Sequence, residues 1–430
     1  MRDRVGVPVA ALAVGAAVLV AVHLLLLHTY WDYSEGVYAL TAHELLHGAD
    51  LYGQMVGAQP PGVFLAGAAI EAIHSGVEWL RLGVGCLQLV AGLFAARIVF
   101  RLTGSAIATV LTPAAMLLTP WAVHEHGALT PELVALPVML GAALSAAEPR
   151  RALLTGVLCG LLVLVKFPLA IPAVVLVAMS GRVRLAAPAA VITLAAGLGA
   201  AWLAGGSGFW RDTLIAQLHS GSRPLTAIVG YWAQSGWNVL GLLFCTGVAL
   251  ALRRRVADRR LLWIAIGLAV ANLVTFLSNF KQGTGLNITV PVEASLVAPA
   301  VCGAVLALRA ARASAPRPRR WMAAGCIVAL AFTLAQSVSL ITAPSNAIPF
   351  LRAFSAPAWG ITLTGTQFET AVAGARSCPP GQPYNGPPLV ALAAGRSLPA
   401  GQPDQFLPSH SSTLAAVNAE ILAARPVCLG

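Results

Sequence analysis

An all-α polytopic membrane protein is expected from three features of the chain. Hydrophobic residues fill 58% of the 430 positions and charged residues only 10%, with mean hydropathy +0.78, more apolar than a soluble domain of this length. The apolar residues gather into runs of about the length that crosses a bilayer. Short arginine clusters separate those runs, so the net charge of +11 reflects membrane topology and not nucleic-acid binding.

Hydropathy places about eleven transmembrane helices, at residues 7–28, 80–100, 105–121, 131–147, 152–165, 168–180, 185–204, 236–252, 261–278, 288–308 and 321–341. The two short runs flanking Lys166 read as tilted or broken helices. With the N-terminus in the cytoplasm, the inner side collects Arg2, Arg4, Arg97, Arg101, Arg150, Arg151, Arg182, Arg184 and the loops "RRRVADRR" and "RAARASAPRPRR". That is two-thirds of the 27 basic residues, as the positive-inside rule requires of a cell (plasma) membrane protein. Of the 16 acids, all but Asp3, Glu148 and Asp258 fall outside or at the outer ends of spans. Carboxylates barely influence insertion, so this bias points to work done on the outer face. The first apolar run lacks a small-residue cleavage site and leads directly into "HTYWDY", which makes it a retained span.

The chain then divides into a membrane domain, 1–341, and a small extracytoplasmic C-terminal domain, 342–430. The first outer loop, about 30–79, has amphipathic character. "SEGVYALTAHELLHG" reads as a helix with Ser34 as N-cap and Gly48 as C-cap. "VFLAGAAIEAIHSG" reads as a second helix, lying in the interface. "FWRDTLIAQLHSGSRP" suggests a further interfacial helix. In the C-terminal α/β segment, "PLVALAAG" is expected as a strand and "HSSTLAAVNAEILAAR" as a helix. Cys86, Cys159, Cys245, Cys302 and Cys326 lie in apolar runs as core residues. Cys378 and Cys428 share the outer compartment, where a disulfide is plausible.

Charged residues at membrane depth need partners or a task. Lys166, in "LVLVKFPLAIP", either reaches an anion such as phosphate or snorkels at a helix end. Lys281 lies on the glycine-containing turn of "FKQGTGLN", whose amides also suit an anion; Glu293, next in the chain, is either a site residue or a partner for Lys281. Asp32 and Glu35, three apart at a helix start, are either a proton-accepting pair or capping acids. Glu132, His124, Tyr38 and Gln59 complete the candidate substrate-binding set. His124 belongs to "HEHG", a weak metal-like cluster. A different chemistry is spelled by "HELLH": His43 and His47 lie at i and i+4 with Glu44 between, the pattern of zinc metalloproteases, with Glu71 conceivable as a third ligand. Against zinc, the pattern sits in an interfacial loop and no second ligand motif lies within a span. Walker and dinucleotide motifs are absent, which speaks against nucleotide-driven transport by this chain.

In this order, "DYSEGVYALTAHELLHGADLYGQ", "AQPPG", the "VKFP" break and "KQGTGLNITVPVE" resemble the GT-C glycosyltransferases. The bacterial branch related to protein O-mannosyltransferases and the lipid A aminoarabinose transferase is the most similar group. The resemblance spans about residues 10–340 and is most specific at 32–62 and 279–293. It implies sugar transfer from a polyprenyl-phosphate donor to a hydroxyl of an envelope lipid, glycan or protein, at a site open to the outer face. It implies no cofactor, with a divalent metal possible in some members, and a proton-accepting or acceptor-positioning acid within "DYSE". Relatives commonly have adjacent Asp-Glu there, whereas this chain has Ser34-Glu35 with Asp32 earlier, so either carboxylate fits the role. The resemblance also makes "HELLH" a coincidence of letters. Two other readings are a zinc intramembrane metalloprotease and a carrier or flippase for polyprenyl-linked sugars.

Overall fold

The computed structural model describes residues 3–30, 33–276, 286–312, 317–342 and 363–424, together with Cys428. Asp32 and Lys281 lie outside the described residues. Helix dominates, as a bilayer demands of backbone groups that must be satisfied internally. The helices are α1 (Asp3–Leu26), α2 (Tyr33–Leu46), α3 (Gly62–Glu71), α4 (Val77–Thr103), α5 (Ala106–Leu117), α6 (Pro120–Glu125), α7 (Pro131–Ala146) and α8 (Ala152–Val165). There follow α9 (Ala170–Met179), α10 (Val183–Trp210), α11 (Ala216–Leu218), α12 (Leu225–Ala251), α13 (Arg259–Thr275), α14 (Thr289–Arg312) and α15 (Arg317–Thr342).

Each of the eleven apolar runs is mostly helical over its described residues. Five helical segments, Gly6–Leu26, Val77–Thr103, Val183–Leu218, Thr289–Arg312 and Arg319–Thr342, are each long and apolar enough to cross a membrane alone. The chain is a multi-pass membrane protein. α14 is buried along most of its length and forms the centre of the bundle, whereas α10 and α15 turn apolar residues such as Leu203, Val191, Ile192 and Val328 outward. In water such a surface would be an aggregation hazard; against lipid it is the expected one. Close approach at the centre depends on small residues. A Cβ on Gly303 of α14 would fall 1.9 Å from the Cys245 carbonyl of α12, and one on Gly156 of α8 would fall 2.2 Å from the Ala186 carbonyl of α10.

Several boundaries differ from the sequence expectation. The run 105–121 breaks at Thr119, where Pro120 opens α6 as its first residue. The expected separate helix after residue 205 is instead continuous with α10, through a kink at Gly206 (φ 57°) and one π-turn, Arg211–Ile215. α2 begins at Tyr33, so Ser34 lies inside the first turn and is not the N-cap, while Gly48 takes the positive φ of a helix end. "PLVALAAG" is no strand: Pro388–Ala394 is a helix, started by proline at its first position and closed by left-handed Gly395. An eight-residue apolar run carries no periodicity that separates the two structures, and the helical caps decide.

Among the described residues the one sheet is a two-residue pairing of Thr29–Tyr30 with Leu363–Thr364, antiparallel. It fastens the C-terminal segment to the chain end of α1. The helix Pro388–Ala394 packs on α2 so closely that a Cβ on Gly36 would meet the Leu389 nitrogen at 2.4 Å. Cys378 and Cys428 are joined in a disulfide that closes a loop of 50 positions. The opposite end of the bundle is held by charge: Arg101 contacts Asp258 at 2.7 Å and Glu148 at 3.2 Å, and Arg151 contacts Glu148 at 2.8 Å.

Closing a loop of that length contributes about 4 kcal/mol in the chain-entropy picture. Cys378→Ser with Cys428→Ser is expected to lower the unfolding midpoint of the C-terminal segment, measured by thermal melting. An unchanged midpoint, or no linked peptide in a non-reducing digest of the parent protein, contradicts the bond.

Candidate active site

The described part of the segment between α1 and α4 is assembled around a buried ion pair. Glu35, in the first turn of α2, is 2% exposed, and so is Arg81, near the start of α4. Arg81 donates from Nε to Glu35 Oε1 at 2.5 Å and from a terminal nitrogen to Oε2 at 2.7 Å. It also donates to the carbonyls of Leu27 (2.9 Å) and Thr29 (2.5 Å). This is the fork geometry that suits guanidinium to carboxylate. Arginine 81 was not singled out from the sequence. In "GVEWLRLGVG" a lone arginine near a helix end reads as snorkelling, and nothing local announces a partner 46 positions away.

A second buried pair joins two residues that the sequence picked separately. Lys166 breaks the helix between α8 and the short turn Phe167–Leu169, with extended backbone (φ −159°, ψ 125°). Its Nζ donates to Glu132 Oε1 at the start of α7. Glu132 is fully buried, and among the described residues its other oxygen has no hydrogen-bond partner. Lys166 is thus neither snorkelling nor solvated; its charge is held inside the protein by a carboxylate.

A continuous path of contacts runs between the two pairs. A Cβ on Gly127 (φ 85°) would lie 2.4 Å from the Arg81 carbonyl, so only glycine fits there. The chain continues past Leu129, which packs on α3 at Gly67, to Glu132. The start of α3 closes the circuit: a Cβ on Gly62 would lie 2.7 Å from the Leu164 carbonyl, so "QPPG" abuts the Lys166 break. The loop before it is fixed by side chains from elsewhere. Tyr52 donates its hydroxyl to the Gln59 carbonyl (2.8 Å), Asp212 accepts from the Gly57 amide (3.3 Å), and Gln217 donates to the Ala58 carbonyl (2.7 Å). Gln402, from the C-terminal segment, accepts from the Val56 amide (3.0 Å) and donates to the Gln54 carbonyl (2.8 Å). Tyr52 holds φ 73°, against the preference of a bulky residue, with its ring edge-on to Phe209 at 5.1 Å.

The remaining candidates fall around this frame. Glu293 is buried at the start of α14, where one of its oxygens accepts from the Trp121 amide at 3.0 Å. Lys281, its alternative partner, lies outside the described residues. The ring of His124 meets that of Trp121 edge-on at 5.0 Å. Tyr38 is buried with its ring edge-on to Phe64 at 5.8 Å.

"HELLH" resolves differently from its spelling. His43 Nδ1 is 2.6 Å from Glu71 Oε1, and His47 Nδ1 is bonded to the His43 carbonyl at 2.8 Å. Glu71, the conceivable third ligand, is a hydrogen-bond partner that ties α2 to α3. Among the described residues no group of three or more His, Cys, Asp or Glu, including His43, Glu44 and His47, converges to hold a metal ion. The hydrogen bond to Glu71 raises the pKa of His43 above its ordinary value.

The chain is similar in fold to solved structures. ArnT from Cupriavidus metallidurans, in a crystal structure bound to undecaprenyl phosphate, superposes with TM-score 0.59 over 90% of this chain and 85% of that one, at 16% identity. The fold is that of ArnT. The apo structure of the same protein agrees, with TM-score 0.57, 17% identity, and 89% and 84% coverage. No family model matches the sequence, and no curated protein matches it.

Burial pushes the pKa of His124 down to about 4 and that of His126 well below its ordinary value, the latter aided by the charge of Arg81. An unfolded histidine binds its proton near pH 6.5, and the folded protein does not until far lower. The unfolded state therefore binds more protons between about pH 6.5 and 4, and stability falls as pH drops through that window. The unfolding midpoint of the detergent-purified protein is expected to fall from pH 7 to 5, less steeply in His126→Asn. A midpoint that rises on acidification contradicts the burial of these rings.

Proposed function

We propose that the protein is a GT-C glycosyltransferase that moves a sugar from a polyprenyl-phosphate donor to a hydroxyl of a cell-envelope lipid, glycan or protein. The observation that carries this reading is the fold shared with ArnT over nine-tenths of the chain, joined to the sequence stretches 32–62 and 279–293. ArnT has been crystallised with undecaprenyl phosphate, which is the lipid carrier this reading requires.

The charge distribution supports an outward-facing site. The arginine-rich end, with Arg101, Arg150 and Arg151 around Glu148, is cytoplasmic by the positive-inside rule. The end that carries Glu35, Glu71 and the disulfide is extracytoplasmic, where disulfides persist. The N-terminus is then cytoplasmic and the C-terminal segment extracytoplasmic.

In the proposed reaction the acceptor oxygen attacks the anomeric carbon, and the bond from that carbon to the phosphate oxygen breaks. Negative charge builds on the leaving polyprenyl phosphate, and Lys166 and Lys281 supply positive charge to balance it. An acid of the "DYSE" stretch, Asp32 or Glu35, accepts the hydroxyl proton. Glu132 keeps Lys166 oriented at the helix break. Glu293, His124 and Tyr38 line the substrate side. The account needs no resident metal.

Purified protein in lipid, given a panel of polyprenyl-phosphate sugars and an envelope-lipid extract, is expected to form new glycosylated product detectable by mass spectrometry. Asp32→Asn is expected to lose about 100-fold or more in turnover, the scale of a lost proton acceptor, while His43→Ala retains transfer. Loss of activity and of bound metal together in His43→Ala would favour the zinc reading. Movement of the lipid-linked sugar across the bilayer with no new glycosidic bond would favour a flippase.

A further inference from the structure

We infer that the turn between α9 and α10, together with the start of α13, binds the headgroup of an anionic glycerophospholipid from the surrounding bilayer; the site is independent of the sugar-transfer reading. Two segments remote in sequence bring arginines together there. Arg182 and Arg184 leave the turn, Arg259 and Arg260 open α13, and all four are exposed. Arg260 fixes the arrangement. One of its terminal nitrogens donates to the carbonyls of Ala146 (3.1 Å) and Met179 (3.2 Å), the last residues of α7 and α9. Gly181 makes that approach possible: it holds φ 76°, and a Cβ there would lie 2.5 Å from the same nitrogen. Ser180 is fully buried, and its hydroxyl oxygen accepts from the Arg182 amide at 3.4 Å. The turn is therefore held on both sides of Gly181.

Carbonyls do not neutralise a guanidinium, and the carboxylates of the neighbouring loops are held elsewhere. Asp258 contacts Arg101 at 2.7 Å, and Glu148 contacts Arg101, Arg150 and Arg151 at 3.2, 3.3 and 2.8 Å. Among the described residues Arg182, Arg184, Arg259 and Arg260 have no carboxylate partner. Positive charge left uncompensated at a lipid surface attracts an anionic headgroup. The adjoining helices supply the apolar half of the site. Arg259, Trp263 and Val270 follow one another at helical spacing on one face of α13, and Trp263 and Val270 are exposed, as are Val174 of α9 and Leu185 of α10. α9 and α13 touch at this end, where a Cβ on Gly267 would lie 2.7 Å from Met179 Sδ. A free inorganic anion would use the arginines and leave that apolar surface unused. A phospholipid matches both, with its phosphate accepting from guanidinium groups and its acyl chains lying along α9 and α13. Topology alone requires arginines at this end. It does not require that they converge on one fixed turn with every nearby carboxylate turned away.

The test is native mass spectrometry of the full-length protein with phosphatidylglycerol and with phosphatidylcholine of the same acyl chains. Wild type is expected to retain one phosphatidylglycerol with at least about tenfold preference, the scale of several arginines acting on one headgroup. Arg182→Gln with Arg184→Gln and Arg259→Gln is expected to reduce the preference to about twofold or less. Arg97→Gln with Arg253→Gln and Arg312→Gln removes the same charge from the same end of the bundle and is expected to keep the preference. All six arginines are exposed, so both triple variants are expected to melt close to wild type, and they are compared at equal folded fraction. Equal loss in the two triple variants overturns the proposal by making the effect diffuse surface charge. A wild-type protein that binds the two lipids equally also overturns it. Displacement of phosphatidylglycerol by inorganic phosphate at equal concentration overturns the lipid as occupant, because the acyl chains would then contribute nothing.

Discussion

The cost of burying charge organises this molecule. In a bundle whose outer surface faces lipid, a buried ion without a counter-ion is costly, and four of the buried or half-buried basic residues are held in ion pairs. Arg81 closes on Glu35, Lys166 on Glu132 and Arg211 on Asp212, and at the opposite end Arg101 closes on Glu148 and Asp258. Replacing such pairs by apolar residues would often leave a protein as stable. What they supply here is registry. The partners are 46, 34 and 157 positions apart for Arg81 with Glu35, Lys166 with Glu132 and Arg101 with Asp258, and each ties one helix to a loop or helix distant in sequence.

The same principle explains why an irregular outer loop is so well defined. Residues 52 to 60 have little regular structure, yet their backbone groups are met by Tyr52, Asp212, Gln217 and Gln402. Two of these come from the continuation of α10 and one from the C-terminal segment, so regions remote in sequence hold "QPPG" against the Lys166 break. The C-terminal segment is therefore structural support for the first outer loop as well as an appendage. It pairs with the strand after α1, presses Leu389 onto Gly36, and places Tyr33 OH within 3.0 Å of the Gln405 amide.

Much of this was legible in the sequence, and the rest was not for identifiable reasons. Hydropathy located the helices because lipid enforces a strong, local signal. Lys166 and Glu132 were recognised individually because charge near membrane depth is conspicuous, but their pairing is a tertiary fact with no local signature. Arg81 was missed because at a helix end an arginine has an ordinary explanation. Glu71, conceivable from the sequence as a third zinc ligand, hydrogen-bonds His43. The strand expected at "PLVALAAG" failed where short apolar runs usually fail: length and pattern fit both structures, and only Pro388 and Gly395 distinguish them.

The lipid carrier is the part of the account most directly open to measurement. Native mass spectrometry of the full-length protein would be run with undecaprenyl phosphate and with undecaprenol, its uncharged counterpart. The phosphate lipid is expected to bind as a single molecule and undecaprenol much more weakly, and Lys166→Met is expected to remove the difference. Equal binding of the two lipids by the wild-type protein would contradict it, because the buried lysine would then have no phosphate to meet.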